Sequence, residues 1–183
     1  MWRGIFKRIA QLIVVSPKAW KRIGKENISL NEFLNKFLHP LFGIIALTSF
    51  IGGLWFSVHG SLENALKQSL IRIVAVYGGY FISSYVINEL APRFGLKKNI
   101  SLFRKYAGYA SVVIYVLYII TPFISGFFII WLLALYTIKL VYAGAQYYIK
   151  VNTDHRVNFS LAASGLIIFV PALIQLFLSY SIK

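Results

Sequence analysis

The chain has 183 residues, of which 58% are hydrophobic, with a mean hydropathy of +0.70 and a formal net charge of +14. A domain of this size cannot hide so much apolar side chain from water, which excludes a soluble globular protein. The absence of cysteine excludes disulfides and thiolate metal sites.

Residues 1–36 carry three short helical signals. In the first, Trp2, Ile5, Phe6, Ile9, Leu12 and Ile13 recur at three- and four-residue steps, and Arg3, Lys7, Arg8 and Gln11 fall off that face. This spacing predicts a basic amphipathic helix suited to the interface of an anionic cytoplasmic leaflet. Ser16-Pro17 reads as an N-cap with proline at the first helical position. The helix behind it has Ala19, Trp20 and Ile23 on one side and Lys18, Lys21, Arg22 and Lys25 elsewhere. Ser29-Leu30-Asn31-Glu32 matches a capping box that opens a helix through Phe33, Leu34 and Phe37 into the first span, and His39-Pro40 stands at the membrane entrance. Trp2, Arg3, Lys7, Arg8, Trp20, Lys21 and Arg22 form the expected membrane-surface group. That group reads as an anchor that fixes topology, and also as a docking surface for anionic headgroups or a cytoplasmic protein partner.

Residues 37–183 read as an all-α transmembrane domain of five helices, over about 37–58, 70–90, 106–124, 126–148 and 159–180. The apolar runs are continuous rather than alternating, which favours helices over barrel strands. Tyr106 to Tyr148 as one helix would run roughly 65 Å, twice the bilayer core, so a turn is required at Thr121-Pro122 and Ser125-Gly126. Lys and Arg gather before the first span, between the second and third, and after the fourth. The opposite side carries only Lys67, Arg72 and Lys183. This asymmetry places the N-terminus in the cytoplasm and the C-terminus outside. The charges flank spans as orientation signals do, so no nucleic-acid partner is expected. Neither a cleavable signal nor an extramembrane catalytic domain is expected.

Within the spans, Lys139 is the sharpest candidate. Tyr136, Lys139, Ala143 and Gln146 share a helical face, and Lys139 lies about 13 Å from the cytoplasmic end of its helix. A buried charge there points to a site for an anionic group, such as a lipid phosphate or carboxylate, formed by Lys139, Tyr136 and Gln146. The alternative is a structural lysine bonded to carbonyls or tyrosine hydroxyls. Arg72 is expected to snorkel to the outer headgroups, and Glu89 to pair with Arg93 or loop lysines. Trp2, Trp20, Tyr147 and Tyr148 suit the inner interface, and Trp55, Trp131 and Tyr180 the outer one. Ala75, Gly79 and Ser83, and Ser49 with Gly53, form small-residue stripes for close helix contact. Gln175 is placed to bond to backbone freed by Pro171. The histidines His39, His59 and His155 are scattered, and Ser164-Gly165 lacks the partners of a serine-protease motif. No enzyme, metal or cofactor is expected.

The run Ser16-Pro17-Lys18-Ala19-Trp20-Lys21-Arg22-Ile23, the tyrosine-rich third span ending in Thr121-Pro122, Ile130-Trp131 and Pro171 occur in an order that resembles the bacterial Yip family. These are five-pass membrane proteins related to the eukaryotic Ypt/Rab-interacting proteins. The likeness covers essentially the whole chain, although Ala110-Ser111-Val112 lacks the proline that often follows a small residue there. The resemblance implies a five-helix domain of the bacterial inner membrane with a cytoplasmic N-terminus. The Rab role is not carried over, because only about forty residues precede the first span. Two functions follow as expectations. The first is a non-enzymatic membrane-organising or scaffold protein that binds partners or lipids. The second is a small transporter or lipid-handling protein, expected as a homo-oligomer, with its anionic site around Lys139.

Overall fold

A computed structural model describes residues 2–56, 60–124 and 127–182, with the side chains of all of these except 127–131. The predicted turn at Ser125-Gly126, His59, Lys183 and the side chain of Trp131 lie outside the described residues. The described residues are mostly helical, without strands: α1 Trp2–Val14, α2 Ser16–Ile23, α3 Leu30–Phe33, α4 His39–Trp55, α5 Leu62–Leu90, α6 Ile100–Ala110, α7 Val112–Ile120, α8 Phe127–Gly144 and α9 Thr153–Ser181.

The helix boundaries follow local chemistry. Ser29 caps α3, its hydroxyl accepting from the Glu32 N–H at 3.1 Å, as the capping box predicts. A π-helical turn over Leu34–Leu38 joins α3 to α4, so Pro40 falls in the first turn of α4, where its missing N–H costs little. Ser61 and Asn99 cap α5 and α6 in the same way, accepting from Asn64 and Leu102. A 3₁₀ turn over Ala91–Phe94 ends α5 at Gly95, whose φ of 73° is the left-handed conformation that glycine adopts without strain. Between α6 and α7 the chain bends by 44° although no proline is present. Ser111 sits at the bend and donates its hydroxyl to the Ala107 carbonyl at 2.7 Å, a back-bond that competes with the helix ladder.

Packing fixes the direction of each leg. Gly53 lies against Ala65, and Ser69 bonds to the Ala46 carbonyl at 2.8 Å, so α4 and α5 are antiparallel. Gly79 meets Pro171, Ser83 donates to the Leu166 carbonyl at 3.0 Å, and Phe94 packs on Phe159, so α5 and α9 are antiparallel too. Phe42 against Tyr115 and Gly52 against Pro122 set α7 parallel to α4. α8 returns beside α6 and α7, with the Tyr106 hydroxyl on the Val141 carbonyl at 2.9 Å. The small-residue stripes are therefore contact faces. A Cβ added at Gly79 would stand 2.6 Å from the Pro171 Cβ, and one at Gly53 would stand 2.8 Å from the Ala65 Cα.

Among the described residues, three helices are long and apolar enough to cross a membrane: Leu30–Trp55, Leu62–Phe94 and Thr153–Ser181. The bent pair Ile100–Ala110 and Val112–Phe123 makes a fourth if it counts as one span. α8 continues through a π-helical turn over Ala145–Ile149 and closes at Lys150, which takes a left-handed φ of 61°.

Candidate functional site

Charge and exposed apolar surface coincide at the N-terminal pair of helices. The amphipathic face predicted for α1 splits in two. Of that face, Ile5, Ile9 and Leu12 are buried against the bundle, whereas Trp2 and Phe6 stay exposed, at 48% and 57%; Val14, outside the predicted face, is exposed at 76%. α2 folds back along α1, close enough for Arg22 to reach Gln11 at 3.3 Å and for Arg8 to meet Glu26. The Arg8–Glu26 pair is bidentate, at 2.7 and 2.9 Å, and the guanidinium also lies 6.0 Å from the centre of the Tyr109 ring. Arg8, expected to face the membrane, is thus the clamp of the hairpin.

Trp20 corrects the sequence expectation most strongly. The sequence pattern places it at the membrane surface, yet none of it is exposed. Its indole N–H donates to the Leu140 carbonyl at 3.1 Å, and its ring lies 5.6, 6.2 and 5.5 Å from those of Tyr106, Tyr109 and Tyr148. Gly144 makes room for it, since a Cβ there would come within 2.8 Å of the indole. The physical reason is that an indole gains a hydrogen bond and three aromatic neighbours inside the bundle, where the interface offers only partial burial. Ser16 does not cap α2: Val15 occupies the flanking position, and the buried Ser16 hydroxyl makes no hydrogen bond among the described residues.

The hairpin also reaches deep. The Ile13 carbonyl accepts from the Tyr136 hydroxyl at 2.6 Å, about 20 Å of helix above Ile149. The two helices therefore form a wedge keyed into the bundle, with exposed apolar and basic side chains left on the outer face. That face keeps Arg3, Lys7, Lys18, Lys21, Arg22 and Lys25 exposed, and Lys21 stands 4.7 Å over the Tyr147 ring.

The Lys139 constellation does not close into an enclosed site. Lys139 is exposed on the flank of α8 with its ammonium 5.0 Å over the Tyr136 ring. The Tyr136 hydroxyl is committed to Ile13, and Gln146 lies within the π-helical turn, which shifts the face it presents by one residue. Arg72 bonds to the end of α7, through the Tyr118 carbonyl and the Thr121 hydroxyl. Glu89 pairs with Lys98, one of the loop lysines expected for it. Among the described residues no cluster of three or more His, Asp or Glu side chains could hold a metal ion.

Comparison with family models, with curated proteins and with solved structures finds no match. The fold itself supports the class, an all-helical membrane protein.

Proposed function

We propose that the chain is a Yip-like, five-pass protein of the bacterial cytoplasmic membrane that organises the bilayer without turnover. In this reading the N-terminal hairpin lies on the cytoplasmic side and binds anionic headgroups of the inner leaflet. The observation that carries the proposal is the keyed hairpin. Trp20 and the Arg8–Glu26 clamp hold α1 and α2 against the bundle, so the outward cations and the exposed Trp2, Phe6 and Val14 form a fixed surface. A basic residue near an anionic membrane surface contributes about 1 kcal/mol, and an apolar rim beside it adds burial. The exposed cations are thus sufficient to enrich anionic lipid around the protein.

Deleting residues 1–28 is not a clean test, because it removes Trp20 from the core. The test is polymer extraction of the full chain from mixed membranes, followed by measurement of the phosphatidylglycerol to phosphatidylethanolamine ratio that accompanies it. Replacing Arg3, Lys7, Lys18, Lys21 and Arg22 with glutamine is expected to return an enriched ratio to that of the bulk membrane. An enrichment that survives the substitutions rejects the reading.

A further inference from the structure

At the end of the bundle opposite the hairpin, a cavity of about 320 Å³ lies between α5, α7, α8 and α9. Its volume falls at the small end of the roughly 300–1,000 Å³ of small-molecule pockets. The walls have two characters. Ile114, Leu117, Ala134, Ile168, Ala172 and Leu176 make an apolar slot, and Arg72, Thr121, Gln175 and Ser179 collect at its polar pole. Gln175 makes no hydrogen bond to the backbone around Pro171 among the described residues and faces this space instead.

Arg72 is the unusual member. It is half-buried and lies about 15 Å along α5 from Leu62. Its Nη1 donates to the Thr121 hydroxyl at 2.7 Å and to the Tyr118 carbonyl at 3.3 Å. These two bonds hold the guanidinium in place and use one of its three nitrogens, leaving Nη2 and Nε without a hydrogen bond among the described residues. Among the described residues no Asp or Glu side chain pairs with it. Glu26, Glu32 and Glu89 are paired with Arg8, Lys36 and Lys98, Glu63 is in the exposed first turn of α5, and Asp154 is in the first turn of α9. A guanidinium held inside an apolar helical bundle without a counter-ion is costly, and a planar fork of N–H donors matches a phosphate or carboxylate.

We propose that this cavity is a binding site for an anionic lipid. The oxyanion of a phosphate or carboxylate head sits on Arg72, with Thr121 and Gln175 beside it, and an acyl chain enters the slot between α7 and α9. Lys139 plays no part in it. The site is separate from the hairpin surface and does not depend on that reading.

The test is native mass spectrometry of the full chain, delipidated and then titrated with phosphatidylglycerol, oleate, phosphatidylcholine or inorganic phosphate. One phosphatidylglycerol or one oleate per chain is expected to be retained, with phosphatidylcholine and inorganic phosphate retained at least about tenfold more weakly. Arg72→Gln is expected to weaken retention by a similar factor. Arg72→Lys should fall between, since it keeps the charge and loses the fork. Ala172→Phe fills the slot with Arg72 unchanged and should abolish retention, which keeps the proposal testable if Arg72→Gln folds poorly. Lys139→Gln should retain lipid as the parent does. Equal retention of phosphatidylcholine, or full retention in both Arg72→Gln and Ala172→Phe, overturns the site. Equal binding of inorganic phosphate overturns the lipid assignment.

Discussion

Truncation of Trp20 to alanine is the perturbation with the largest consequence for the hairpin. The side chain is completely buried, bonded to Leu140 at 3.1 Å and surrounded by Tyr106, Tyr109 and Tyr148. Loss of a buried Trp typically costs about 3–5 kcal/mol, as transfer energy plus the cavity left behind. The residue joins α2 to α6 and α8, so the cost falls on docking of the hairpin and only secondarily on the long helices. Amide exchange of residues 2–23 in a nanodisc should therefore accelerate by about two to three and a half orders of magnitude, while α5 and α9 stay protected. Trp20→Phe keeps most of the ring contacts and gives up one hydrogen bond, so its effect should be about 1 kcal/mol, or roughly fivefold. A tryptophan lying at the membrane interface would give a different result, with both variants exchanging like the parent. Unchanged protection across residues 2–23 in Trp20→Ala would refute the keyed hairpin.

The Arg8–Glu26 clamp is about a quarter exposed on each side, so it should contribute modestly. A double-mutant cycle of Arg8→Gln and Glu26→Gln, read by the same exchange experiment, is expected to give a coupling of about 1 kcal/mol that shrinks at high salt. Gly144→Ala should loosen the same region by about 1–3 kcal/mol, since its Cβ would lie 2.7 Å from Tyr106 and 2.8 Å from Trp20; exchange as slow as in the parent would show that the rings can shift. Orientation is testable without a background signal because the chain has no cysteine. In intact cells Lys67→Cys should react with an impermeant maleimide and Lys25→Cys should not, and the reverse pattern would invert the topology.

Much of the helix layout was legible because the cues are local. The Ser29 capping box, the Gly79 and Ser83 stripe and the position of Pro171 need only neighbours a turn away or a face of one helix. Environment was less legible. In a bilayer, lipid and protein interior are equally apolar, so hydrophobic periodicity does not say which of them covers a face. The outer and inner apolar faces of α1 thus read as one stripe, although Ile9 meets protein and Phe6 does not. Trp20, on one side of its helix with Ala19 and Ile23, suits the interface by residue type, while the feature that receives it, Gly144 among Tyr106, Tyr109 and Tyr148, lies more than eighty residues away. Lys139 and Gln146 were placed on one face by counting an ideal helix, and the π-helical turn over Ala145–Ile149 breaks that count. For Arg72, nearness to a helix end suggested snorkelling, and only the tertiary position of Thr121 reveals the bonds that hold its guanidinium to α7.

Whether the two ends of the bundle act separately depends on α7. α1 packs against α7, and Arg72 bonds to Tyr118 on α7 and to Thr121 just beyond it. Trp20, however, contacts Tyr109 on the far side of the bend at Ser111, and it shares no partner with Arg72. Sites without common partners usually combine additively within about 0.5 kcal/mol. Trp20→Phe should therefore leave phosphatidylglycerol retention at Arg72 within about twofold of the parent, and Arg72→Gln should leave exchange of residues 2–23 equally unaffected. Linkage requires a reciprocal pair to agree in size: the change that bound phosphatidylglycerol makes in hairpin docking must equal the change that docking makes in phosphatidylglycerol affinity. A tenfold effect in both directions would mean that the Ser111 bend transmits force instead of absorbing it. Lipid bound at one end would then set the docking of the hairpin at the other, and Ser111→Ala, which removes the back-bond to Ala107, should change that coupling without touching either site.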